Sequence, residues 1–268
     1  MALNKEKIPG VKNVIAVGSG KGGVGKSTVA VNMALALSHE GAKVGLLDAD
    51  IYGPSIPIML HLQGQKPKFN EQGKVIPLEA YGIKTMSIGF IAEETQAVIW
   101  RGPMIHKILD EFLSRVDWGQ LDYLIVDLPP GTGDAQLSLS QLIPLTGAVV
   151  VTTPQEVALA DVKRAVEMFK KVKIPLLGVV ENMESDIFGS GGGKNAAKEW
   201  GVTFLGSIPL MADIRKSGDA GKPIVVSNIE SLISQIFLKT ARNLSGVISQ
   251  FNVLGAAQES PAIKVVKS

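Results

Sequence analysis

The chain has 268 residues, 46% of them hydrophobic, with 27 basic and 25 acidic side chains giving a net charge of +2. That length supports a sizeable core, and the near balance of charge, with no lysine or arginine block, excludes nucleic acid and anionic membrane as default partners. Cysteine is absent, which removes disulfides, thiolate metal sites and a cysteine nucleophile from consideration.

Apolar, β-branched runs alternate with helical patterns along the chain, the order demanded by an α/β, doubly wound, mainly parallel sheet with helices on both faces. The first strand is expected at Val14–Val17. Directly after it, Gly20-Lys21-Gly22-Gly23-Val24-Gly25-Lys26-Ser27-Thr28 satisfies the phosphate-loop pattern G-x-x-x-x-G-K-[ST], with a second lysine inside the loop. A helix over Ser27–Glu40 follows, carrying Ala30, Met33, Ala34 and Leu37 on one face. Glycines let the backbone wrap closely enough for successive N–H groups to point at phosphate oxygens, and the helix N-terminus adds partial positive charge. Gly20 through Thr28 therefore reads as a nucleoside-triphosphate site, with Lys26 reaching the β- and γ-phosphates and Ser27 ligating Mg²⁺. The plain alternative is a glycine-rich strand-to-helix turn with no ligand.

The second strand, Val44–Leu47, runs into Asp48-Ala49-Asp50-Ile51-Tyr52-Gly53-Pro54. Paired acids thus stand at the C-terminal end of a strand, where ligands bind in open α/β sheets. One of them can orient an attacking water; the other reading is that the acids cap the following turn. Gln63–Pro77 is polar, with Lys66-Pro67-Lys68, and reads as an excursion over the surface. Further strands are expected at Ile83–Ile88, Tyr123–Val126, Ala148–Thr152, Leu176–Val180 and Phe204–Ser207, and further helices at Pro103–Arg115, Ala135–Leu142, Gln155–Lys171, Lys194–Trp200 and Ile229–Phe251. Most of the strands are continuous apolar runs, so burial on both faces is expected. Tyr123–Val126 ends in Asp127-Leu128-Pro129-Pro130-Gly131-Thr132-Gly133-Asp134. There Asp127 is expected to hold Mg²⁺ through water, and Gly131 to offer a backbone N–H near the γ-phosphate. Val179-Val180-Glu181-Asn182 ends a later strand with an amide that can read a base edge, although asparagine is also an ordinary turn residue.

A single domain over residues 1–268 is expected, with its core at about residues 11–251 and a loose tail over 252–268, where periodicity fades. No apolar run is long enough to cross a bilayer, and the segment Met1–Lys7 lacks the apolar centre of a secretion signal. A cytoplasmic protein with no membrane span is the expectation.

Lys21 beside Lys26 in KGGVGKST resembles the deviant phosphate-loop ATPases, which include the nitrogenase iron protein, the MinD/ParA-type positioning and partitioning ATPases and the Mrp/ApbC iron–sulfur cluster carriers. Five further strings are similar to Mrp/ApbC in particular: Asp48 through Ser55, Trp100-Arg101-Gly102-Pro103-Met104, Asp127 through Asp134, Thr152-Thr153-Pro154-Gln155 and Glu181-Asn182-Met183. The resemblance runs from about Val11 to Val247. It implies an ATP- and Mg²⁺-dependent homodimer in which Lys21 of each subunit reaches the phosphates held by the other, on the logic of an arginine finger. An exposed loop lysine is the ordinary reading of the same residue. The resemblance also implies that Asp50 is the switch acid near the attacking water, that Asp48 supports the magnesium shell, and that Asn182 with Ile208-Pro209-Leu210 forms the adenine-contacting region.

The sequence departs from that family just after Asn182. The carriers usually have a C-x-x-C pair between the Glu-Asn-Met string and a later glycine run, contributed by each subunit to a bridging [4Fe–4S] cluster. Here Glu181 passes to Gly193 with no cysteine-bearing insert. Clusters are held chiefly by thiolates, so no iron–sulfur ligand is expected in this chain. His39, His61 and His106 stand in separate segments and read as surface or helix residues. Two function classes follow. One is an ATPase of iron–sulfur cluster assembly or transfer, acting with a cysteine-bearing Mrp/ApbC relative or an iron–sulfur apoprotein. The other is a MinD/ParA-like positioning ATPase, which a basic amphipathic C-terminal helix would favour. The stripe Leu232, Ile233, Ile236, Phe237, Leu244, Val247, Ile248 and Phe251 has only Lys239 and Arg242 beside it, a pattern that suits core packing.

Overall fold

The structure is a computed structural model and describes residues 7–92, 102–131, 136 and 142–259. Strand β1 (Val11–Ser19) leads through the glycine-rich loop into α1 (Lys26–His39) and on to β2 (Val44–Asp48). Next come α2 (Ile56–Met59), the short pair β3 (Lys68–Phe69) and β4 (Val75–Ile76), then β5 (Leu78–Ala80) and β6 (Ile83–Ser87). Helices α3 (Gly89–Ala92) and α4 (Gly102–Ser114) precede β7 (Leu121–Asp127) and β8 (Gly147–Thr152). The remainder is α5 (Glu156–Lys171), β9 (Leu176–Glu184), α6 (Gly192–Trp200), β10 (Phe204–Pro209), α7 (Ala212–Asp219), α8 (Ile224–Ser227) and α9 (Leu232–Glu259).

Eight strands form one sheet in the order β10-β9-β8-β1-β7-β2-β6-β5, parallel except where β5 lies antiparallel to β6. Every strand expected from the sequence is present, with ends displaced by a few residues. Alternation explains the apolar runs. Ile15 and Val17 of β1 point into a layer with α1 and α9, while Val14 and Ala16 point into a layer with Leu109 and Phe112 of α4 and Val162, Val166 and Phe169 of α5. Helix α1 is buried around most of its circumference from Val29 to Leu37, beyond the single face expected, because α9 covers the side turned from the sheet.

Helix α9 differs from the sequence reading at its end. It continues to Glu259, so the first residues assigned to a loose tail are helical, and residues 260–268 lie outside the described residues. Ile233, Phe237, Leu244 and Ile248 of its stripe are buried in the core, whereas Leu232 and Phe251 are exposed. The stripe is thus a packing face, and no helix among the described residues is long and apolar enough to cross a membrane. Nearly all of the helix expected at Ala135–Leu142 also lies outside the described residues. The surface excursion is the exposed β3–β4 hairpin.

The sheet positions the site through its register. Asp127 pairs with Val17 on one side and with Asp48 on the other, which sets two acids side by side at the end from which the phosphate loop departs. Strands on either side of β1 wind in opposite directions, so the crevice opens at that same edge.

Candidate nucleotide site

The loop after β1 depends on backbone shapes that side chains resist. Gly23 and Gly25 have φ of 80° and 78°, the left-handed region that glycine enters without steric cost. A Cβ at Gly25 would also lie 2.3 Å from Nδ2 of Asn182. At Gly20 a Cβ would meet the Asp161 backbone at 2.2 Å, so the loop runs hard against α5.

At the head of α1, Lys26 is almost fully buried and its ammonium donates to Asp127 Oδ1 at 2.7 Å, with Asp50 Oδ2 at 3.4 Å and Ser27 Oγ at 3.3 Å. Ser27 Oγ donates to Asp127 Oδ2 at 2.5 Å. Four residues read separately from the sequence therefore form one network. Asp48 stands behind it, its Oδ1 accepting the Asp50 N–H at 3.1 Å and its Oδ2 accepting the Ser87 hydroxyl at 2.9 Å and the Ile56 N–H at 3.4 Å. The Tyr52 N–H donates to Asp50 Oδ1 at 3.3 Å. Both acids thus brace the following turn as well as facing the loop.

Burial pushes the Asp48 carboxyl up to about 7, and the neighbouring Asp127 charge adds to the rise against the Ser87 hydroxyl, the Asp50 N–H and Lys26. Burial raises Asp127 too, opposed by the charge and hydrogen bond of Lys26 and the hydroxyl of Ser27. Between the ordinary carboxylate value and about 7, the folded chain holds a proton at Asp48 that the unfolded chain has released. The nucleotide-free protein should therefore lose stability as pH rises from 4 to 7. Asp48→Asn should flatten that slope, as read by urea midpoints across the range.

The donor set suits a hard cation held jointly with phosphate oxygens. Ser27 offers a hydroxyl and Asp127 a buried carboxylate, the oxygen ligands that Mg²⁺ takes from a protein while substrate and water supply the rest. No three His, Cys, Asp or Glu side chains converge as a metal cage among the described residues.

Beside the loop lies a cleft of about 400 Å³, walled by Gly25 and Thr28, by Asn182 and Met183, by Pro209 through Met211 with Ile214, and by Ile58 and Met59. Asn182 belongs to β9, so it is a strand residue here, and its Nδ2 donates to the Val24 carbonyl at 2.8 Å. That bond leaves Oδ1 facing no donor among the described residues. Lys21 is half-exposed, and its ammonium makes no ion pair among the described residues. Gly131 departs from expectation: its N–H donates to the Ser19 carbonyl at 3.0 Å rather than standing open toward a phosphate. Thr132, Gly133 and Asp134, and Trp100 and Arg101 of the earlier string, lie outside the described residues. His39 and His61 are exposed.

Several contributors were not singled out from the sequence. Ser87 braces Asp48, and Ser19 Oγ donates to the Lys21 carbonyl at 2.9 Å, shaping the loop from inside. Glu181 is fully buried and accepts from the N–H groups of Gly191 at 2.8 Å and Gly193 at 2.5 Å, and from the Ser207 hydroxyl at 3.3 Å. Its signal in the sequence is an acid directly after the apolar run Leu176–Val180. Between β9 and α6, Ser185 and Gly189 exchange backbone hydrogen bonds at 3.1 and 2.7 Å and close a tight turn.

Comparison with known proteins agrees with this geometry. Residues 10–245 match the family model described as ParA, NUBPL iron-transfer P-loop NTPase. An iron–sulfur cluster carrier protein of Aquifex aeolicus is 54% identical over 257 residues, covering 92% of this chain and 71% of the relative. The iron–sulfur cluster transfer protein NUBPL of Dictyostelium discoideum is 54% identical over 240 residues, covering 85% of this chain and 74% of the relative. Among solved structures, a nucleotide-binding protein from Archaeoglobus fulgidus in complex with ADP superposes with a TM-score of 0.74 at 39% identity, covering 86% of this chain and 94% of that one. The cell division ATPase MinD of Pyrococcus furiosus, 22% identical, shares the fold with a TM-score of 0.69, covering 88% of this chain and 99% of its own. On the match from residue 10 to 245, which bears out the Mrp/ApbC resemblance of its motifs, the chain belongs to the NUBPL iron-transfer family of P-loop NTPases, together with the iron–sulfur cluster carrier proteins.

Proposed function

We propose that this protein binds and hydrolyses Mg·ATP as a homodimer, and that it serves iron–sulfur cluster assembly or transfer with thiolates supplied by another protein. The buried network joining Lys26, Ser27, Asp127 and Asp50 carries the reading, because it gathers at the head of one helix the groups that phosphoryl transfer needs. The N–H groups of Gly20 through Thr28 bind the phosphate oxygens, and Lys26 shares its charge with them. Ser27 and, through water, Asp127 would hold Mg²⁺, which would supply charge neutralisation during phosphoryl transfer. Asp50, fixed by Lys26 and by the Asp48 brace, orients the water whose oxygen bonds to the γ-phosphorus as the bond to ADP breaks. The cleft beside Asn182 and Pro209 receives the base and ribose, an apolar slot with one amide to hydrogen-bond a base edge.

Lys21 completes the site from the other subunit. Its half-exposed position suits that role, as do the exposed apolar side chains that follow the C-terminal ends of three strands, Tyr52, Val157 and Ile187, which a second copy would cover. Lys21→Ala should lower hydrolysis by about 10³-fold while changing ATP affinity far less. Mixed dimers test the geometry. A Lys21→Ala subunit paired with an Asp50→Ala subunit should recover one working site in two, and no recovery where heterodimers demonstrably form would overturn action across the interface.

A further inference from the structure

Helix α2 forms one wall of the cleft beside the phosphate loop, and it is tied to the acids of the site. Its inner residue Ile56 is fully buried in the core, while Ile58, 47% exposed, and Met59 face the cleft. The Asp48 carboxylate holds both ends of the intervening loop, gripping the Asp50 N–H at 3.1 Å with one oxygen and the Ile56 N–H at 3.4 Å with the other. Leu210 and Met211, which also line the cleft, are 40% and 46% exposed. These apolar groups rim an open slot and would be covered by a flat ring filling it. Helix α7, which Met211 precedes, packs against α2, but of the two segments α2 is the one hydrogen-bonded to Asp48, through the Ile56 N–H.

We infer that α2 is a base sensor, whose contact with the nucleotide's ring through Ile58 and Met59 sets the position of Asp50 by way of Asp48. The inference rests on the nucleotide reading of the phosphate loop and extends it. Filling the cleft packs a ring against α2, and the shared Asp48 anchor passes that restraint to the backbone of Asp50. A triphosphate with a base is then turned over efficiently, whereas a bare triphosphate chain engages the loop with Asp50 unrestrained. Ile58 and Met59 are accordingly positioning residues for hydrolysis as well as contacts for the base.

The test compares ATP with inorganic tripolyphosphate on the full-length protein in Mg²⁺. The wild type should turn over ATP with a kcat at least about tenfold above that for tripolyphosphate. Ile58→Ser removes an exposed side chain and leaves the core intact. It should raise KM for ATP about tenfold and lower kcat for ATP about fivefold, with tripolyphosphate turnover moving less than about twofold. Met211→Ser, on the segment with no hydrogen bond to the acids, should raise KM for ATP with its kcat held within about twofold. Equal effects of Ile58→Ser on both substrates, no effect on either, or a kcat loss in Met211→Ser matching that in Ile58→Ser would each overturn the sensor role. Lys26→Ala serves as the separate check, since undiminished ATP turnover there would defeat the nucleotide reading itself.

Discussion

Replacing Lys26 with alanine should weaken ATP binding by at least about a thousandfold, about 4 kcal/mol, because the change removes the one buried cation at the head of the phosphate-binding helix. The same change should unsettle the fold. Asp127 is fully buried and is held by Lys26 at 2.7 Å, with Asp50 second in line at 3.4 Å. Removing one partner of a buried pair leaves an uncompensated charge at a cost of about 3–5 kcal/mol, which for a chain of this size lowers Tm by roughly 6–20 °C. The double variant Lys26→Ala with Asp127→Asn should regain most of the lost Tm and none of the lost affinity. Calorimetric titration and thermal melts on the three proteins separate the two effects. Wild-type affinity in Lys26→Ala would remove the basis for assigning the site.

Much of this arrangement was legible in the sequence, for identifiable reasons. The central strands are buried on both faces, so Val14–Val17, Tyr123–Val126 and Ala148–Thr152 show as uninterrupted apolar runs. The loop from Gly20 to Thr28 is a local motif whose backbone shape is set by its own glycines. Helices α2 and α7 were not legible. The first is four residues long with a proline in its first turn, and the second buries no residue, so neither shows a periodic apolar face. The network was legible only as separate parts, because Lys26 heads α1 while Asp50 and Asp127 belong to the ends of two other strands, and the three are joined by sheet order rather than by spacing. Part of the cleft lining, Asn182 with Pro209 and Leu210, was named through the family resemblance, whereas Ile58, Met59 and Met211 were not, because they come from segments far apart in the chain.

Anaerobic reconstitution with iron and sulfide should give no stoichiometric [4Fe–4S] cluster on the isolated protein, with or without ATP. The chain has no cysteine, and no alternative cage of histidines and carboxylates exists among the described residues. The proposed ATP-bound dimer should still form under the same conditions, because none of the groups assigned to phosphate, magnesium or the interface is a thiol. Iron and sulfide content with Mössbauer spectra provides the measurement. A stable cluster at one per dimer would require a ligand set without protein thiolate and would refute the need for a second, cysteine-bearing protein.

The closed turn from Ser185 to Gly189 carries a wider consequence. Its two backbone bonds seal the base of the turn, Ile187 at the tip is 82% exposed, and the glycine run beyond is anchored separately on the buried Glu181. Residues added between 186 and 188 would extend into solvent from a base that is already fixed. Each doubling of such a loop costs only ~0.6 kcal/mol of closure entropy. A longer segment can therefore be gained or shed at this point as a detachable fitting, with the phosphate loop undisturbed.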